Sequence, residues 1–453
     1  MTMKPKTLAL ALALISGIAT SSTALAAVSA EEAAKLKSTL TPLGGEKAGN
    51  KDGTIPAWDG GMTKAPAGAM RGDVPVDLFA NEKPLLQITA KNMAQHAEKL
   101  TEGTRALLKK YPDTFRVDVY PTHRTAAAPK WVYDNTLKNA TNCKTKDGGL
   151  SVEGCYGGVP FPMPKDGTEV MWNHLLRVEA ESIEYGFKNV VGSSDATWTI
   201  ATRNDNYWSM PYYYKDGSAE KWSGKYSLQR FNTTAPSFKV GESLVIHDGI
   251  DAAQPRQAWQ YLVGQRRVRR APTVGYDTPD FVASGANYFD EVQGLFGGLD
   301  RYQWKIVEKR EMYIPYNDNH FLAAKLDEAF SKSHLNPDKL RWELHRVWVV
   351  EANVAPGKRH AVPKRRYYVD EDSWLVTLVD GYDAEGKLWR TSQVTPFVVP
   401  KIPAVVLRPV VVFNLQANTM SAVQFLNEET YRVVPRKPEN FYTGEAVAAE
   451  SSR

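Results

Sequence analysis

Cysteine is nearly absent from this sequence: Cys143 and Cys155 are the only two in 453 residues. That excludes a disulfide-dense scaffold and a four-thiolate metal site, both of which need more thiols. The two are twelve positions apart with no histidine between them. This is not Cys-x-x-Cys spacing, so a structural disulfide is expected rather than a metal or redox pair. A strong charge of one sign is also lacking, with 56 basic against 51 acidic side chains. Nucleic-acid binders carry a basic excess, so that class is set aside.

Catalytic signatures are missing as well. There is no G-x-S-x-G, H-E-x-x-H, P-loop or G-x-G-x-x-G. His96, His123, His174, His247, His320, His334, His345 and His360 are scattered, and none is paired at ligand spacing on an evident helix face. No metal, cofactor or catalytic residue is therefore assigned. Beyond the N-terminal segment no run reaches the ~18 apolar residues of a membrane span.

The N-terminus does carry a pattern. Lys4 and Lys6 precede a twelve-residue apolar run over 8–19, and Ala24-Leu25-Ala26 follows. The order matches a cleavable export signal over residues 1–26, and the apolar run is too short to span a bilayer. Export through an oxidising compartment agrees with the disulfide expected for Cys143 and Cys155. Without the two lysines the balance is 54 basic to 51 acidic.

Residues 27–114 read as an extension of polar loops with a helix over about 90–110, and Trp58 is expected to pin the loops to the main body. From 115 to 453 the character changes. Short runs rich in β-branched and aromatic residues recur between turn signals. Regular βα alternation is missing, which argues against a doubly wound parallel sheet. The expectation is a mainly antiparallel β protein with a few helices, built on one sheet of ten or more strands that curls. Helices are expected at 167–176 and 320–334. In "NYWSMPYYYKDG", Trp208, Met210, Tyr212 and Tyr214 are expected on one face of a strand. Asp370, Glu371 and Asp372 cluster at a hairpin turn and read as turn residues.

The stretch "AWQYLVGQRRVRRAP" holds four arginines within five residues. It reads as two strands with a turn at Gly264. Arg266 and Arg270 share one face of the second strand, and Arg267 and Arg269 the other. They are either solvated and paired with carboxylates such as Glu308 or Asp277, or they form a guanidinium site for an anionic headgroup.

Several longer stretches resemble one family. "LTPLGGEKAGNKDGTIPAWDGG", "GGVPFPMPKDGTEVMWNH", "RQAWQYLVGQRRVRRAPTVGYDTP" and "HRVWVVEANVAPGKRHAVPKRRYYVDEDSW" are similar to proteobacterial domain-of-unknown-function family 1329. That family is similar to the LolA/LolB outer-membrane lipoprotein-sorting proteins. The resemblance implies a large unclosed β half-barrel with helices on its concave face. It implies a periplasmic or outer-membrane-associated protein, with a resistance-nodulation-type exporter and an outer-membrane porin-like protein as partners. It brings no catalytic residues.

The functional expectation is a non-enzymatic periplasmic carrier or chaperone for a hydrophobic, lipid-like ligand. Its expected lining is Trp172, Trp208, Met210, Tyr212, Tyr214, Trp259 and Tyr261, with Arg266 and Arg270 at a polar rim. The alternatives are an accessory subunit of an envelope transport complex whose sheet interior is filled by its own side chains, and a glycan or lipid hydrolase.

Overall fold

In this computed structural model, residues 27–451 are described apart from 65, 72 and 73. The export signal expected over 1–26 lies outside the described residues. Six strands form a first meander: β1 (Ser182–Gly192), β2 (Trp198–Ser209), β3 (Lys225–Ala235), β4 (Ser243–Gly249), β5 (Gln257–Leu262) and β6 (Arg267–Arg270). After a crossing segment, residues 271–301, come β7 (Tyr302–Pro315), β8 (Trp342–Val354), β9 (Lys364–Asp370), β10 (Val376–Tyr382), β11 (Leu388–Val394), β12 (Val410–Asn414) and β13 (Thr419–Phe425).

The order across the sheet is β6-β5-β4-β3-β2-β1-β13-β12-β11-β10-β9-β8, with β7 on β8. β13 pairs with β1 and so joins the two meanders. Three short strands, Leu86–Ile88, Val117–Val119 and Tyr431–Val433, bring the total to sixteen among the described residues. The described pairings are antiparallel except for Trp342 with Val119. The order does not return on itself, so the sheet is not closed into a barrel. The antiparallel, unclosed architecture expected from the sequence is the one observed.

Alternation explains how the strands pack. In β4, Leu244 and Ile246 enter one apolar cluster, while Val245 between them enters another on the opposite face. In β8, Val349 belongs to one core, and Val350 and Ala352 to the other. Both faces of the sheet are therefore covered.

The crossing segment shows which way the sheet bends. Asp290 pairs with Arg365 of β9 at 2.7 Å. The adjoining Phe289 shares a cluster with Leu244, Ile246 and Ala258 of β4 and β5. Nine strand spacings separate β5 from β9, roughly 43 Å if the sheet were flat. One short segment reaches both, so the sheet curls around it. Glu291 also holds Arg390 of β11, at 2.7 Å, and Asn287 accepts from Ser421 of β13 at 2.9 Å. The inner face is thus occupied by the chain itself.

Among the described residues four helices have eight or more residues: α1 (Glu102–Lys110), α2 (Lys130–Asn142), α3 (Gly167–Leu175) and α4 (Gly444–Ser451). α3 is buried along its whole length and joins the inner core with Trp172, next to Leu295 and Leu299 of the crossing segment. α1 lies on the other face, where Leu107 and Leu108 meet Leu378 and Phe413. Gly103 makes that approach possible. A Cβ there would stand 2.0 Å from Thr391 Oγ1, and its N–H donates to Asp380 at 3.1 Å. The helix expected over 90–110 is interrupted. A 3-10 turn spans Met93–Lys99, Leu100 is extended, and Thr101 caps α1 by accepting from the Thr104 N–H. The helix expected over 320–334 likewise splits into Asn319–Ala323 and Leu326–Ala329. Trp58 does pin its loop, donating from Nε1 to the Ala126 carbonyl at 3.1 Å. Cys143 and Cys155 form the expected disulfide.

Candidate functional site

Five separate segments meet around a groove of about 520 Å³ at the start of β1. α2 supplies Trp131 and Val132. The stretch entering β1 supplies Val178, Ala180 and Ser182. Tyr213 comes from the turn after β2, Ile402 and Pro403 from a loop, and Val433, Val434 and Pro435 from the end of the strand that edges β1 and the two residues after it. The volume falls within the ~300–1,000 Å³ typical of small-molecule sites. The walls are mostly apolar and partly open to solvent, with Val433 38% exposed. Such a surface gains roughly 25 cal/mol per Å² when a ligand covers it.

Charge is confined to the floor and the rim. At the floor, Glu179 accepts from Arg408 Nη1 at 2.5 Å and from the Tyr431 hydroxyl at 3.0 Å. The Arg408 guanidinium stacks over Tyr185 at 4.6 Å and Trp208 at 4.9 Å. Arg177 approaches the Trp208 ring at 5.7 Å. Burial pushes the Arg177 pKa down to about 10, so it stays charged at neutral pH. Burial likewise raises the Tyr213 hydroxyl far above its ordinary value. At the rim, Arg436 holds Asp216 through two bonds of 2.7 Å and lies 3.8 Å from Glu181. Lys401 is exposed. The groove has the form of an apolar slot whose mouth carries Lys401 and Arg436 beside the carboxylates of Glu181 and Asp216.

A second cluster is ionic and fully buried. His345 on β8 sits between Glu343 and Asp370, 3.1 Å from each. Both ring nitrogens face carboxylates, so both carry protons. Burial alone would lower its pKa, but hydrogen bonds to Asp370 and Glu343 raise it to about 10. His345, Asp370 and Asp372 have the proximity of a metal-ligating trio. However, Arg124 clamps both oxygens of Asp372, at 2.6 and 2.7 Å. Arg346 and Lys309 occupy Glu371. A cation at the trio would have to displace Arg124 from Asp372 and the proton that His345 gives Asp370, so the cluster works as a brace. It fastens the loop over 44–48 to the Asp370–Asp372 turn, because Arg124 also donates to the Glu46 carbonyl at 2.6 Å. The three acidic residues form the expected turn, but they are buried rather than solvated.

The family profile of the protein of unknown function DUF1329 matches residues 87–448. The chain belongs to this family. It is similar to an uncharacterised Pseudomonas aeruginosa protein, 42% identical over 373 residues and covering 82% of each chain. Among solved structures it is similar to a DUF1329 family protein from Desulfovibrio piger. That match is 11% identical and covers 59% of this chain and 92% of that one, with a TM-score of 0.40. It is also similar to a LolA superfamily protein from Nitrosomonas europaea, 10% identical, covering 62% of this chain and all of that one (100%), with a TM-score of 0.36.

In this DUF1329 member the residues expected to line a single pocket are dispersed. β2 ends at Ser209, because Pro211 has no N–H for a ladder and opens a 3-10 turn instead. Trp208, Met210, Tyr212 and Tyr214 therefore do not share a strand face. Trp208 donates to Ser227 at 2.8 Å, and Tyr212 donates to the Gly158 carbonyl at 2.7 Å. Trp172 donates to the Gly149 carbonyl at 2.8 Å. Trp208, Met210 and Tyr212 surround a void of about 10 Å³, room for no more than one water. Tyr214 lies beneath Arg436, 4.3 Å away, just behind the groove's rim. Trp259 and Tyr261 are elsewhere, under α4 with Tyr442. Arg266, in the turn before β6, and Arg270, paired in register with Trp259, are exposed at the sheet edge, and neither lines the groove. None of the seven aromatic and methionine candidates is a groove wall. The walls that the sequence reading missed, Trp131, Val178, Ile402 and Val433, lie 31 to 302 residues apart and share no periodic pattern.

Proposed function

We propose that this protein binds an apolar, tail-bearing ligand in the groove beside β1 and carries or shields it in the periplasm, without catalysing a reaction. The observation behind this reading is the apolar slot of about 520 Å³, open to solvent and edged by Lys401 and Arg436. An alkyl chain entering it gains about 0.8 kcal/mol per buried methylene. Lys401, exposed at the mouth, suits an anionic end group. The periplasmic location rests on the export pattern at the N-terminus and on the lipoprotein-sorting resemblance. Native mass spectrometry of the purified protein, with solvent extraction of whatever it retains, tests the reading. A bound amphiphile supports it. Repeated recovery of empty protein that also fails to take up a fluorescent fatty acid contradicts it.

A second reading has its own observation. The inner face of the curled sheet is filled by residues 271–301, which is what an accessory subunit without a ligand cavity calls for. On that reading the groove receives a partner's side chains, and the exporter or porin-like protein implied by the resemblance becomes the binding target. Co-purification with envelope partners, lost on substitution of Ile402 and Val433, would favour it over the carrier reading.

A further inference from the structure

We propose that the paired hairpin tips at one end of β3–β6 dock onto an anionic lipid bilayer. Six large hydrophobic side chains stand out as exposed among the described residues, and three of them are here: Phe238 at 76%, Val240 at 49% and Val263 at 37%. Phe238 and Val240 belong to the tip between β3 and β4, and Val263 to the tip between β5 and β6. The tips are adjacent, because Val263 Cγ2 lies 3.4 Å from where a Cβ on Gly241 would stand.

The charge around them has one sign. Residues 236–242 and 263–270 carry five basic side chains, Lys239, Arg266, Arg267, Arg269 and Arg270, against the single carboxylate of Glu242. The four arginines are exposed. The carboxylates that sequence reasoning offered them are engaged elsewhere. Glu308 pairs with Arg310, and Asp277 accepts from the Ala361 N–H. β6 is an edge strand, so nothing is paired beyond it in the sheet.

An aromatic and two branched aliphatic side chains projecting from turns, ringed by guanidinium groups, match the boundary between headgroups and acyl chains. The apolar tips enter the boundary while the arginines hold phosphate oxygens. A bilayer is favoured over a protein partner because the apolar atoms stand proud of the surface instead of lining a groove. This surface is independent of the ligand groove. Ser182 opens β1 at the groove, and pairing through Ser209 and Leu228 puts the start of β3 at that same end. The tips follow the far end of β3, about 30 Å away at ~3.4 Å per residue. A docked molecule would keep its groove open to solvent.

The test is co-sedimentation of the purified protein with phosphatidylglycerol-rich vesicles and with vesicles of phosphatidylcholine alone. The expected result is binding to the first, weakened by added salt, and little binding to the second. Phe238→Ser with Val240→Ser, and separately Arg267→Glu with Arg269→Glu, should each weaken binding at least about tenfold. Thermal melting and fatty-acid uptake should stay at wild-type values. Should a double change unfold the protein, Phe238→Ser alone carries the test. Wild-type protein that ignores phosphatidylglycerol vesicles, or binding that survives either double substitution in folded protein, overturns the proposal.

Discussion

At the scale of single residues, buried charge is held in place by exact pairing. Arg124 is 2% exposed in its side chain and serves Asp372, the Glu46 carbonyl and Glu371 together. Arg124→Ala leaves buried carboxylates unpaired, and a loss of about 3–5 kcal/mol in unfolding free energy is expected by chemical denaturation. Arg124→Lys should recover only part of it, because an ammonium cannot grip both oxygens of Asp372. His345 predicts a pH dependence. Its folded pKa of about 10 lies above the ordinary value of 6.5. The folded state therefore holds the proton more tightly than the unfolded chain does. The stabilisation is complete below about 6.5 and is lost as pH rises through about 10. Urea midpoints measured from neutral to alkaline pH should fall for the wild type. They should fall less for His345→Gln, which starts from a lower stability. Parallel profiles would contradict the assignment. His174 behaves in the opposite way. Burial drives its pKa down to about 3, so it remains neutral, accepting from the Val376 N–H and donating to the Gln293 carbonyl.

At the scale of elements, two pieces fasten the sheet from outside. α4 covers Trp259, Tyr261 and Val268, and Glu450 holds the buried Arg230. Removing residues 439–453 should expose Trp259, shift tryptophan fluorescence to longer wavelength and lower the melting temperature. An unchanged spectrum would show that the helix does not cover that ring. The Cys143–Cys155 bridge closes a loop next to Trp222 and Ile250. Replacing both cysteines by serine should cost about 3 kcal/mol through the freed unfolded chain. Element identity was readable where a residue acts locally. The alternating strands, the Trp58 anchor and the cysteine pair all appear where the sequence suggested. Interruptions were not readable in advance. Thr101 caps a helix in the middle of an apparently continuous apolar pattern, and Pro211 turns an aromatic run out of its strand.

At the scale of the whole molecule, residues 271–301 determine what the curled sheet can hold. In sequence this segment shows no strand or helix pattern, and its Asn, Glu and Gln are single residues, Asn287, Glu291 and Gln293. In the fold, Asp290 meets Arg365, Glu291 meets Arg390, Asn287 meets Ser421, and Gln293 meets Arg177. Each polar group is buried with a partner 75 to 134 residues away, or 116 in the case of Arg177. Periodicity carries no information on pairings of that range, so a filled interior could not be separated from an open one. The groove was hidden for the same reason. Its walls are short pieces of five segments brought together only in the folded chain. On the proposed reading, ligand binding lies at the end of the sheet and not within its curl. Exchanging Ile402 and Val433 for glutamate should reduce fatty-acid binding at least about tenfold, since each puts a charge against an apolar tail, and melting should be little changed.

The most direct measurement is photo-crosslinking with a diazirine-bearing fatty acid, followed by peptide mapping of the labelled sites. The account predicts labels on Trp131, Ile402 and Val433, competed away by unlabelled fatty acid. Labels concentrated in residues 271–301 and the inner faces of β4 and β9, or no competable label at all, would contradict it.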